Sequence, residues 1–280
     1  MREINTGEIT DMVSRLCMEA NYCLNMDIEE ALQKSLAAEE SPAGRSVMES
    51  MLENSAIARA EKIPICQDTG MTVIFIEIGT DVHITGGDPE KAINEGVRRG
   101  YRTGYLRKSV VRDPVNRINT DDNTPAVIHY SLTNGDKIKI TAAPKGFGSE
   151  NMSALKMLTP SQGIEGIKKF IIDTVSAAGA NPCPPIIVGA GIGGTMEKCA
   201  LLSKKALLRP VGSGNRNLFW NNVEQELLEK INCLGIGPAG FGGRTTALAV
   251  NIETFPTHIA GLPVAVNIGC HVTRHAEGII

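Results

Sequence analysis

A seven-residue stretch at positions 64–70, Pro-Ile-Cys-Gln-Asp-Thr-Gly, constrains the fold of this chain more than any other segment. Proline and glycine at its two ends disfavour a helix, so we expect Cys66, Gln67 and Asp68 to lie on a loop. The apolar run at 71–78 predicts a strand, at whose start polar side chains can face a cleft. A thiolate is a soft metal ligand, and a carboxylate beside a metal can move a proton. A lone Cys-x-Asp is, however, more typical of a buried thiol beside a turn-forming aspartate.

The chain differs in character on the two sides of this loop. Residues 6–61 contain little glycine and carry apolar residues near helical spacing, which predicts three helices. Asp27 is expected to cap the second helix, and Ser41 with Pro42 to begin the third. We therefore predict an α/β fold, with a helical N-terminal part at about 1–61 followed by mixed sheets flanked by helices. The length is enough for one large domain or two modest ones, and we predict one domain over 1–280.

Several elements beyond the loop can be placed from local signals. Asp88 and Pro89 are expected to open a helix that runs to about Gly100. The runs 126–132 and 137–143 are joined by Asn134-Gly135, a dipeptide that two-residue hairpins favour, so the two strands are expected to pair. Further helices are predicted at 160–178, 195–208 and 219–232, and further strands at 186–188, 246–252 and 264–268.

The composition limits the classes of partner. The formal net charge is -3 and only 4% of residues are aromatic, which argues against nucleic acid. A phosphate-binding face usually leaves a basic excess and often stacking aromatics. No apolar run approaches the roughly 18 residues that span a bilayer, and the N-terminus lacks a charged segment followed by a hydrophobic one. We therefore expect a cytoplasmic protein with no membrane partner.

The chain has seven cysteines, an odd number that cannot be fully paired within one molecule. In a reducing compartment, cysteines are core residues, catalytic thiols or metal ligands. No Cys-x-x-Cys or similar close pair occurs, which excludes a zinc knuckle and a ferredoxin-type run. Any metal site must therefore be assembled from distant segments. Packing is the expected role of the four cysteines on or at the end of predicted helices, Cys17, Cys23, Cys199 and Cys233.

The other three cysteines lie on predicted loops. Cys66 is in the 64–70 stretch, Cys183 is held between prolines, and Cys270 follows a predicted strand and a glycine. Proline fixes the backbone around Cys183, although core packing is an equal alternative for that thiol. Three thiolates gathered by the fold leave the fourth position of a tetrahedral metal or a cubane open, which a catalytic site keeps for substrate or water.

Two stretches have the character of anion-binding loops, and each has a plainer alternative. Seven Arg or Lys residues lie between 98 and 117. Arginine can hold a carboxylate with two parallel hydrogen bonds, but a solvated loop would have the same composition. Residues 145–151, Lys-Gly-Phe-Gly-Ser-Glu-Asn, lead into a predicted helix N-terminus, which suits a phosphate or carboxylate. Positive φ angles would explain these glycines equally well.

Residues 189–194, Gly-Ala-Gly-Ile-Gly-Gly, match the dinucleotide-binding pattern literally. The helix after them is followed by Arg-Pro-Val-Gly-Ser-Gly rather than by a strand ending in the acidic residue that would bind a ribose. We therefore interpret the glycines as sites of close approach to a neighbouring segment. A nucleotide-binding module is the competing interpretation.

Five motifs, in chain order, together resemble the alpha subunit of the two-subunit class I fumarases and L-tartrate dehydratases. They are 64–70, 145–151, 181–194, the run 237–246 (Gly-Pro-Ala-Gly-Phe-Gly-Gly-Arg-Thr-Thr), and the segment from Pro-Thr-His-Ile-Ala at 256–260 to Cys-His at 270–271. Members of that family carry a 4Fe-4S cluster on three cysteines, with the fourth iron free to bind substrate. The resemblance implies Cys66, Cys183 and Cys270 as ligands, the same three that lie on predicted loops.

The resemblance also implies a reaction and the residues that carry it. The reaction is the reversible hydration of fumarate to L-malate, with conversion of tartrate to oxaloacetate as the alternative. Gln67 and Asp68 would contact substrate, with Asp68 as the acid/base group. Arg107 would pair with a substrate carboxylate, although Arg107 is chosen by spacing among neighbouring arginines. Gly148 would supply backbone contacts, and His258 would lie near the substrate hydroxyl.

A partner follows from the same resemblance. Single-chain relatives continue into a second domain that contributes to the pocket, whereas this sequence stops at Ile280. A separate beta subunit is therefore expected to complete the active site for a small dicarboxylate in a hetero-oligomer. The run Cys-His-Val-Thr-Arg-His at 270–275 favours the fumarase form over the tartrate form. A non-catalytic iron-sulfur scaffold is a further alternative, against which the presence of Asp68 argues.

Overall fold

The computed structural model describes all residues 1–280, which form two compact units. The first unit comprises Met1–Leu24, Asn54–Phe147 and Arg274–Ile280, and the second comprises Asn25–Glu53 and Gly148–Thr273. Each unit combines helices with a sheet of mixed strand direction, which confirms the predicted α/β class. None of the helices has the length and apolar character needed to cross a membrane.

Eight α-helices and ten β-strands make up the chain. The first half contains β1 (Arg2–Asn5), α1 (Thr6–Tyr22), α2 (Met26–Ala38), α3 (Pro42–Glu61), β2 (Met71–Gly79), β3 (Val82–Thr85), α4 (Pro89–Thr103), β4 (Val127–Thr133) and β5 (Ile138–Lys145). The second half contains α5 (Phe147–Glu150), β6 (Ala154–Leu158), α6 (Gly163–Ala178), β7 (Ile186–Gly193), α7 (Met196–Ala206), α8 (Leu218–Asn232), β8 (Ala247–Phe255), β9 (Leu262–Gly269) and β10 (Ala276–Ile279).

The three N-terminal helices are present as predicted. Helix α3 begins at Pro42, and the Ser41 hydroxyl accepts a hydrogen bond from the Gly44 N-H, which satisfies a donor of the first turn. The predicted cap of α2 is wrong. Asn25 precedes that helix, whereas Asp27 lies inside its first turn and accepts a hydrogen bond from the Val211 N-H. The Asp27 side chain therefore forms a long-range hydrogen bond instead of the cap that the local sequence predicted.

The sheet of the first unit has the strand order β10-β5-β2-β4. Strand β2 pairs in parallel with β4 and antiparallel with β5, so the predicted β4-β5 hairpin is wrong. The connection through Asn134 and Gly135 passes around the end of β2, where the Gly79 and Asp81 N-H groups donate to the Lys137 and Gly135 carbonyls. Most of β2 is buried, and its central position pairs both of its edges with neighbouring strands.

Helices α1 and α4 pack together over this sheet. Their buried residues join those of β2 and β5 in one core, which includes Ile9, Val13, Leu16, Ile74, Ile76, Ile93, Val97, Tyr101, Ile138 and Ile140. Asp88 caps α4 by accepting hydrogen bonds from the Glu90 and Lys91 N-H groups, as predicted. A Cβ added at Gly96 would lie 2.7 Å from the Thr10 carbonyl oxygen, so the absence of a side chain sets how closely the helices approach.

The sheet of the second unit has the order β6-β9-β7-β8, with β7 parallel to β8 and antiparallel to β9. Strand β7 continues through the glycines to Gly193, further than the predicted end at 188. A Cβ added at Gly189 would lie 2.2 Å from the Ser203 carbonyl oxygen, and one at Gly191 would lie 2.0 Å from that of Cys199. Helix α7 therefore packs directly on these glycines. Their predicted role in close approach is confirmed, and they do not form a phosphate-binding loop.

The four helix-associated cysteines differ in burial, and Cys23 is half-buried. No disulfide bond joins any of the seven cysteines. Cys17 and Cys199 are buried, and burial raises the pKa of the Cys17 thiol to about 12 and, with a smaller contribution from Glu197, that of Cys199 to about 11. Packing is confirmed for these two. Cys233, at the end of α8, is exposed, so the packing role predicted for it is wrong.

Candidate functional site

Residues 64–70, which we call the Cys66 loop, connect α3 to β2 in the first unit, as predicted. Ile65 is buried, Cys66 and Asp68 are half-buried, and Gln67 is exposed, so the loop presents its polar side chains at the surface of the unit. The Asp68 N-H lies 3.4 Å from Cys66 Sγ and donates to it. The thiol and the carboxylate are thus held on the same turn of the chain.

Two backbone donors fix the Asp68 carboxylate. Asp68 Oδ1 accepts from the Gly70 N-H at 3.0 Å, and Oδ2 accepts from the Phe147 N-H at 2.8 Å. A Cβ added at Gly146 would lie 3.2 Å from Asp68 Oδ2, so the missing side chain lets this backbone approach the carboxylate. Each oxygen retains acceptor capacity beyond these bonds. The carboxylate is therefore oriented by the backbone without being fully occupied.

Side chains from distant segments hold the Cys66 loop in place. Asn54 Nδ2 donates to the Ile65 carbonyl at 2.8 Å, and Asn123 Nδ2 donates to the Gly70 carbonyl at 3.2 Å. The Tyr101 and Arg274 side chains also donate to carbonyl oxygens of the loop, and the Asn21 carbonyl accepts from the Ile65 N-H. Sequence reasoning missed all five. Polar residues that interrupt the apolar faces of α1 and α4 are the one signal that could have marked Asn21 and Tyr101.

Arg107 lies beside the Cys66 loop, since its carbonyl oxygen accepts a hydrogen bond from Thr69 Oγ1 at 3.0 Å. The Arg107 side chain is exposed. In the same basic stretch, Arg98 and Arg99 form ion pairs with Glu95, which leaves them less able to bind a ligand. The structure thus places the backbone of the predicted carboxylate-binding arginine against Thr69 of the Cys66 loop, in the first unit.

In the second unit, sheet register brings Cys183 and Cys270 to the same edge. Strands β7 and β9 are antiparallel with Ile187 opposite Gly269, so the segment before β7 and the segment after β9 meet. The His271 N-H donates to the Cys183 carbonyl at 3.3 Å, and His271 Nδ1 lies 3.0 Å from the same oxygen. Two of the three predicted ligands therefore lie on adjoining loops. Cys66 belongs to the first unit.

The Cys183 turn has an unusual backbone conformation. Cys183 is exposed and has a φ of 54°, a left-handed conformation that is uncommon for a residue with a side chain. Flanking prolines restrict the chain on both sides. Gly148, on the short helix α5, lies beside the same turn, because a Cβ added there would be 3.9 Å from the Asn181 carbonyl oxygen. The predicted backbone contact at Gly148 is thus near Cys183.

His258 lies at the other end of the same sheet. It follows β8, and the neighbouring Thr257 hydroxyl donates to the carbonyl of Gly194, the residue directly after β7. Cys270 follows the far end of β9, an eight-residue strand. At about 3.3 Å per residue, the length of β9 separates the two by roughly 23 Å. The structure therefore does not bring His258 to Cys183 and Cys270 within one chain.

No group of three or more His, Cys, Asp or Glu side chains in residues 1–280 is arranged to bind a single metal ion. A cubane differs from a single ion because each thiolate binds a separate iron at its own corner, so the sulfurs lie further apart. The donor set is consistent with that chemistry, because Cys66, Cys183 and Cys270 are half-buried or exposed and provide soft sulfur ligands.

Comparison with known proteins assigns a family. The chain matches the family described as Fumarate hydratase (Fumerase) over residues 10–279. It is 44% identical over 275 residues to a protein of Methanocaldococcus jannaschii provisionally named L(+)-tartrate dehydratase subunit alpha, with 96% of each chain covered. It is 32% identical over 277 residues to the L(+)-tartrate dehydratase subunit alpha of Escherichia coli O157:H7 and to that of Shigella sonnei. Each of these matches covers 98% of this chain and 91% of the relative.

Proposed function

The chain belongs to the fumarate hydratase (Fumerase) family, and on this premise we propose that it is the alpha subunit of a two-subunit enzyme that hydrates fumarate to L-malate. Membership of the family makes it a hydro-lyase, an enzyme that adds or removes water across a carbon-carbon bond. The observation that carries the proposal is the family match over 10–279, which contains Cys66, Asp68, Cys183 and Cys270.

In this proposal, Cys66, Cys183 and Cys270 bind a 4Fe-4S cluster. The soft sulfur donors and the adjoining positions of the Cys183 and Cys270 loops support the assignment. Three protein ligands leave one of the four irons without a thiolate. When bound, the cluster would supply a Lewis acid for the oxygen that is added to or removed from the substrate.

The remaining chemistry belongs to side chains. Hydration of a double bond adds an oxygen to one carbon and a proton to its neighbour, so a positioned acid/base group is needed. Asp68 is that group, because its carboxylate is held by the Gly70 and Phe147 N-H groups and keeps acceptor capacity. Gln67 contacts the substrate from the same loop, Arg107 pairs with a substrate carboxylate, and Gly148 offers backbone contacts.

The proposed role of His258 requires a second copy of the chain. The length of β9 lies between His258 and Cys270, so the two cannot contact one small substrate within a single chain. A His258 that lies near the substrate hydroxyl must therefore come from a second copy of the chain. Its removal is expected to affect turnover only in an assembly that holds two copies.

A separate beta subunit completes the active site in this proposal. Its support is that the curated relatives named above are each designated as subunit alpha and match this chain over 91% or more of their own length. Residues 1–280 would act as one catalytic domain of a cytoplasmic hetero-oligomer.

The decisive experiment measures turnover of fumarate, L-malate and L-tartrate by the anaerobically reconstituted pair of subunits. We expect fumarate and malate to interconvert. Asp68→Asn keeps the size and one of the two acceptor oxygens but removes the ionisable group, so kcat should fall by roughly 100-fold to 10,000-fold. A wild-type pair that turns over none of the three compounds would exclude the proposed function.

A second candidate substrate is L-tartrate, because the curated relatives at 44% and 32% identity carry that name. Both reactions add or remove water on a four-carbon dicarboxylate and need the same acid/base group. Turnover of tartrate with no turnover of malate in the same assay would select this candidate.

The cluster is tested separately by iron and sulfide analysis. Cys66→Ser, Cys183→Ser and Cys270→Ser should each prevent stable loading, because serine is a harder and far less acidic ligand than cysteine. Cys233→Ser is the control, since Cys233 is exposed like Cys183 but is not a proposed ligand. Full iron content in any one of the three variants, together with wild-type turnover, would contradict the ligand assignment.

A further inference from the structure

At the end of the Cys66 loop, buried side chains donate hydrogen bonds to the carbonyl oxygens of Asp68, Thr69 and Gly70. Arg274 Nη2 lies 2.6 Å from the Asp68 oxygen. The Tyr101 hydroxyl lies 2.8 Å from the Thr69 oxygen and 2.9 Å from that of Gly70, to which Asn123 also donates. All three donor residues are buried, with 4% exposure for Arg274 and none for Tyr101 and Asn123.

Arg274 ties the loop to helix α1. Its Nε donates to Asn21 Oδ1 at 3.1 Å, and Asn21 Nδ2 in turn donates to the Cys17 carbonyl at 2.9 Å, which fixes the amide within the helix. The backbone carbonyl of Asn21 accepts from the Ile65 N-H at 2.9 Å. The end of α1 therefore binds the loop on both sides of Cys66 and Gln67, directly at Ile65 and through Arg274 at Asp68.

We propose that Arg274 is a positioning residue, whose guanidinium holds the Asp68 peptide against the end of α1 and so sets the conformation of Cys66, Gln67 and Asp68. Hydrogen bonds from an ionised donor are roughly twice as strong as neutral ones. We therefore expect Arg274 to bind the loop more strongly than Tyr101 or Asn123 does. Its position is also nearest to the reactive side chains, because it binds the peptide of Asp68 itself. Because Arg274 is buried and binds the Asp68 peptide, it acts on the site through the loop.

The inference rests on the proposed function only for its catalytic consequence. Misplacement of an acid/base group by about 1 Å can lower a rate by on the order of 100-fold. Loss of Arg274 should therefore lower kcat through Asp68. The loop conformation itself can be measured without any turnover, which separates the two hypotheses.

The first measurement is amide hydrogen exchange, followed by mass spectrometry, on the full 280-residue chain. Arg274→Gln removes the charge and the pair of N-H donors that bind Asn21 and the Asp68 carbonyl. We expect exchange in residues 64–70 to become roughly tenfold faster or more, while α4 keeps the wild-type rate. Arg274→Lys retains the charge and can reach one acceptor but not both, so its exchange rate should lie between those of the wild type and Arg274→Gln.

Arg209→Lys is the matched control. Arg209 also donates to an asparagine side chain and a backbone carbonyl, those of Asn251 and Ile252, but it lies in the second unit. This substitution should leave exchange in residues 64–70 unchanged. Wild-type exchange of that loop in Arg274→Gln would overturn the proposal. Faster exchange throughout the first unit in both Arg274 variants would overturn it as well, because Arg274 would then stabilise the fold rather than one loop.

The second measurement is steady-state kinetics of the reconstituted pair, with rates expressed per loaded cluster. We expect Arg274→Gln to lower kcat by on the order of 100-fold with a smaller change in KM, and Arg274→Lys to recover part of the loss. A purely structural role would change the amount of loaded enzyme but neither constant. A faster-exchanging loop with wild-type kcat and KM would contradict positioning. If the wild-type pair has no activity, the proposed function fails and the exchange result alone decides the role of Arg274.

Discussion

The two units position their cysteines in different ways. In the first unit, Cys66 lies on a loop whose backbone is bound by side chains from other segments, among them Asn54 and the buried Asn123 and Arg274. In the second unit, Cys183 and Cys270 are placed by the antiparallel register of β7 and β9 and by a backbone hydrogen bond between their loops.

This difference predicts where each unit is sensitive to substitution. A loop held by side chains is loosened when one polar group is removed, because the buried carbonyl that it bound is left unsatisfied. A loop held by strand register tolerates such changes but responds to anything that moves the strands. The following substitutions test this contrast, from the largest expected effect to the smallest.

Gly191→Ala should disturb the second unit most. The new Cβ would lie 2.0 Å from the Cys199 carbonyl and 2.6 Å from the Ser203 N, both backbone atoms of α7 that cannot move away cheaply. Overpacking of this kind typically costs about 1–3 kcal/mol, and a clash with helix backbone should reach at least the upper part of that range. Urea unfolding followed by circular dichroism measures the loss.

Gly261→Ala is the control, because its Cβ would have no neighbour closer than 3.8 Å. Its free energy of unfolding should stay within about 0.5 kcal/mol of the wild type. Equal stability of the two variants would mean that α7 can move away from β7, and the register would then not be set by close packing.

Asn123→Ala should loosen the Cys66 loop. Its Oδ1 accepts from the Ser109 N-H at 2.7 Å and its Nδ2 donates to the Gly70 carbonyl, so the Ser109 N-H loses this partner and the buried Gly70 carbonyl keeps only the Tyr101 hydroxyl. We expect a loss of about 2 kcal/mol in unfolding free energy and faster amide exchange in residues 64–70.

His271→Ala provides the comparison in the second unit. The His271 N-H still donates to the Cys183 carbonyl when the ring is removed, so the loss should be about 1 kcal/mol or less. A larger effect for His271→Ala than for Asn123→Ala would reverse the contrast between the two units.

Glu39 shows that one loop of the second unit also depends on a side chain. Its carboxylate accepts from the Glu40, Ser41 and Arg244 N-H groups. Burial opposes ionisation, but these backbone donors, together with that of Thr245, outweigh it and lower the pKa of Glu39. A lowered pKa means that the stabilisation is complete above the pKa of an unfolded glutamate, about 4.3, and is lost as the pH falls through the lower folded value.

Glu39→Gln should therefore destabilise the protein by about 1 kcal/mol at pH 7 and by less at pH 3. Urea unfolding of the wild type and the variant at the two pH values tests this prediction. A difference that grows as the pH falls would contradict the direction of the shift.

Much of the fold could be predicted because its signals are local. The caps at Ser41 and Asp88, the prolines that begin helices, the apolar periodicity of α1 and the apolar run of β2 act over a few neighbouring residues. The hairpin prediction failed for the same reason. Asn134-Gly135 specifies a turn, but only the apolar surface of β2 decides that this strand, and not a direct β4-β5 pairing, occupies the centre of the sheet.

The same distinction between local and long-range signals applies to the candidate site. The sequence by itself determined that Cys66, Cys183 and Cys270 stand on loops, that Asp68 follows a thiol by two residues, and that the glycines of β7 permit close approach, since these follow from residue type and immediate neighbours. Only the tertiary structure decided that Arg274 binds the Asp68 peptide, that Cys183 meets the segment after Cys270, and that His258 lies at the opposite end of β9. Such contacts depend on strand order and register, which bring together residues far apart in the chain, and no local pattern encodes them.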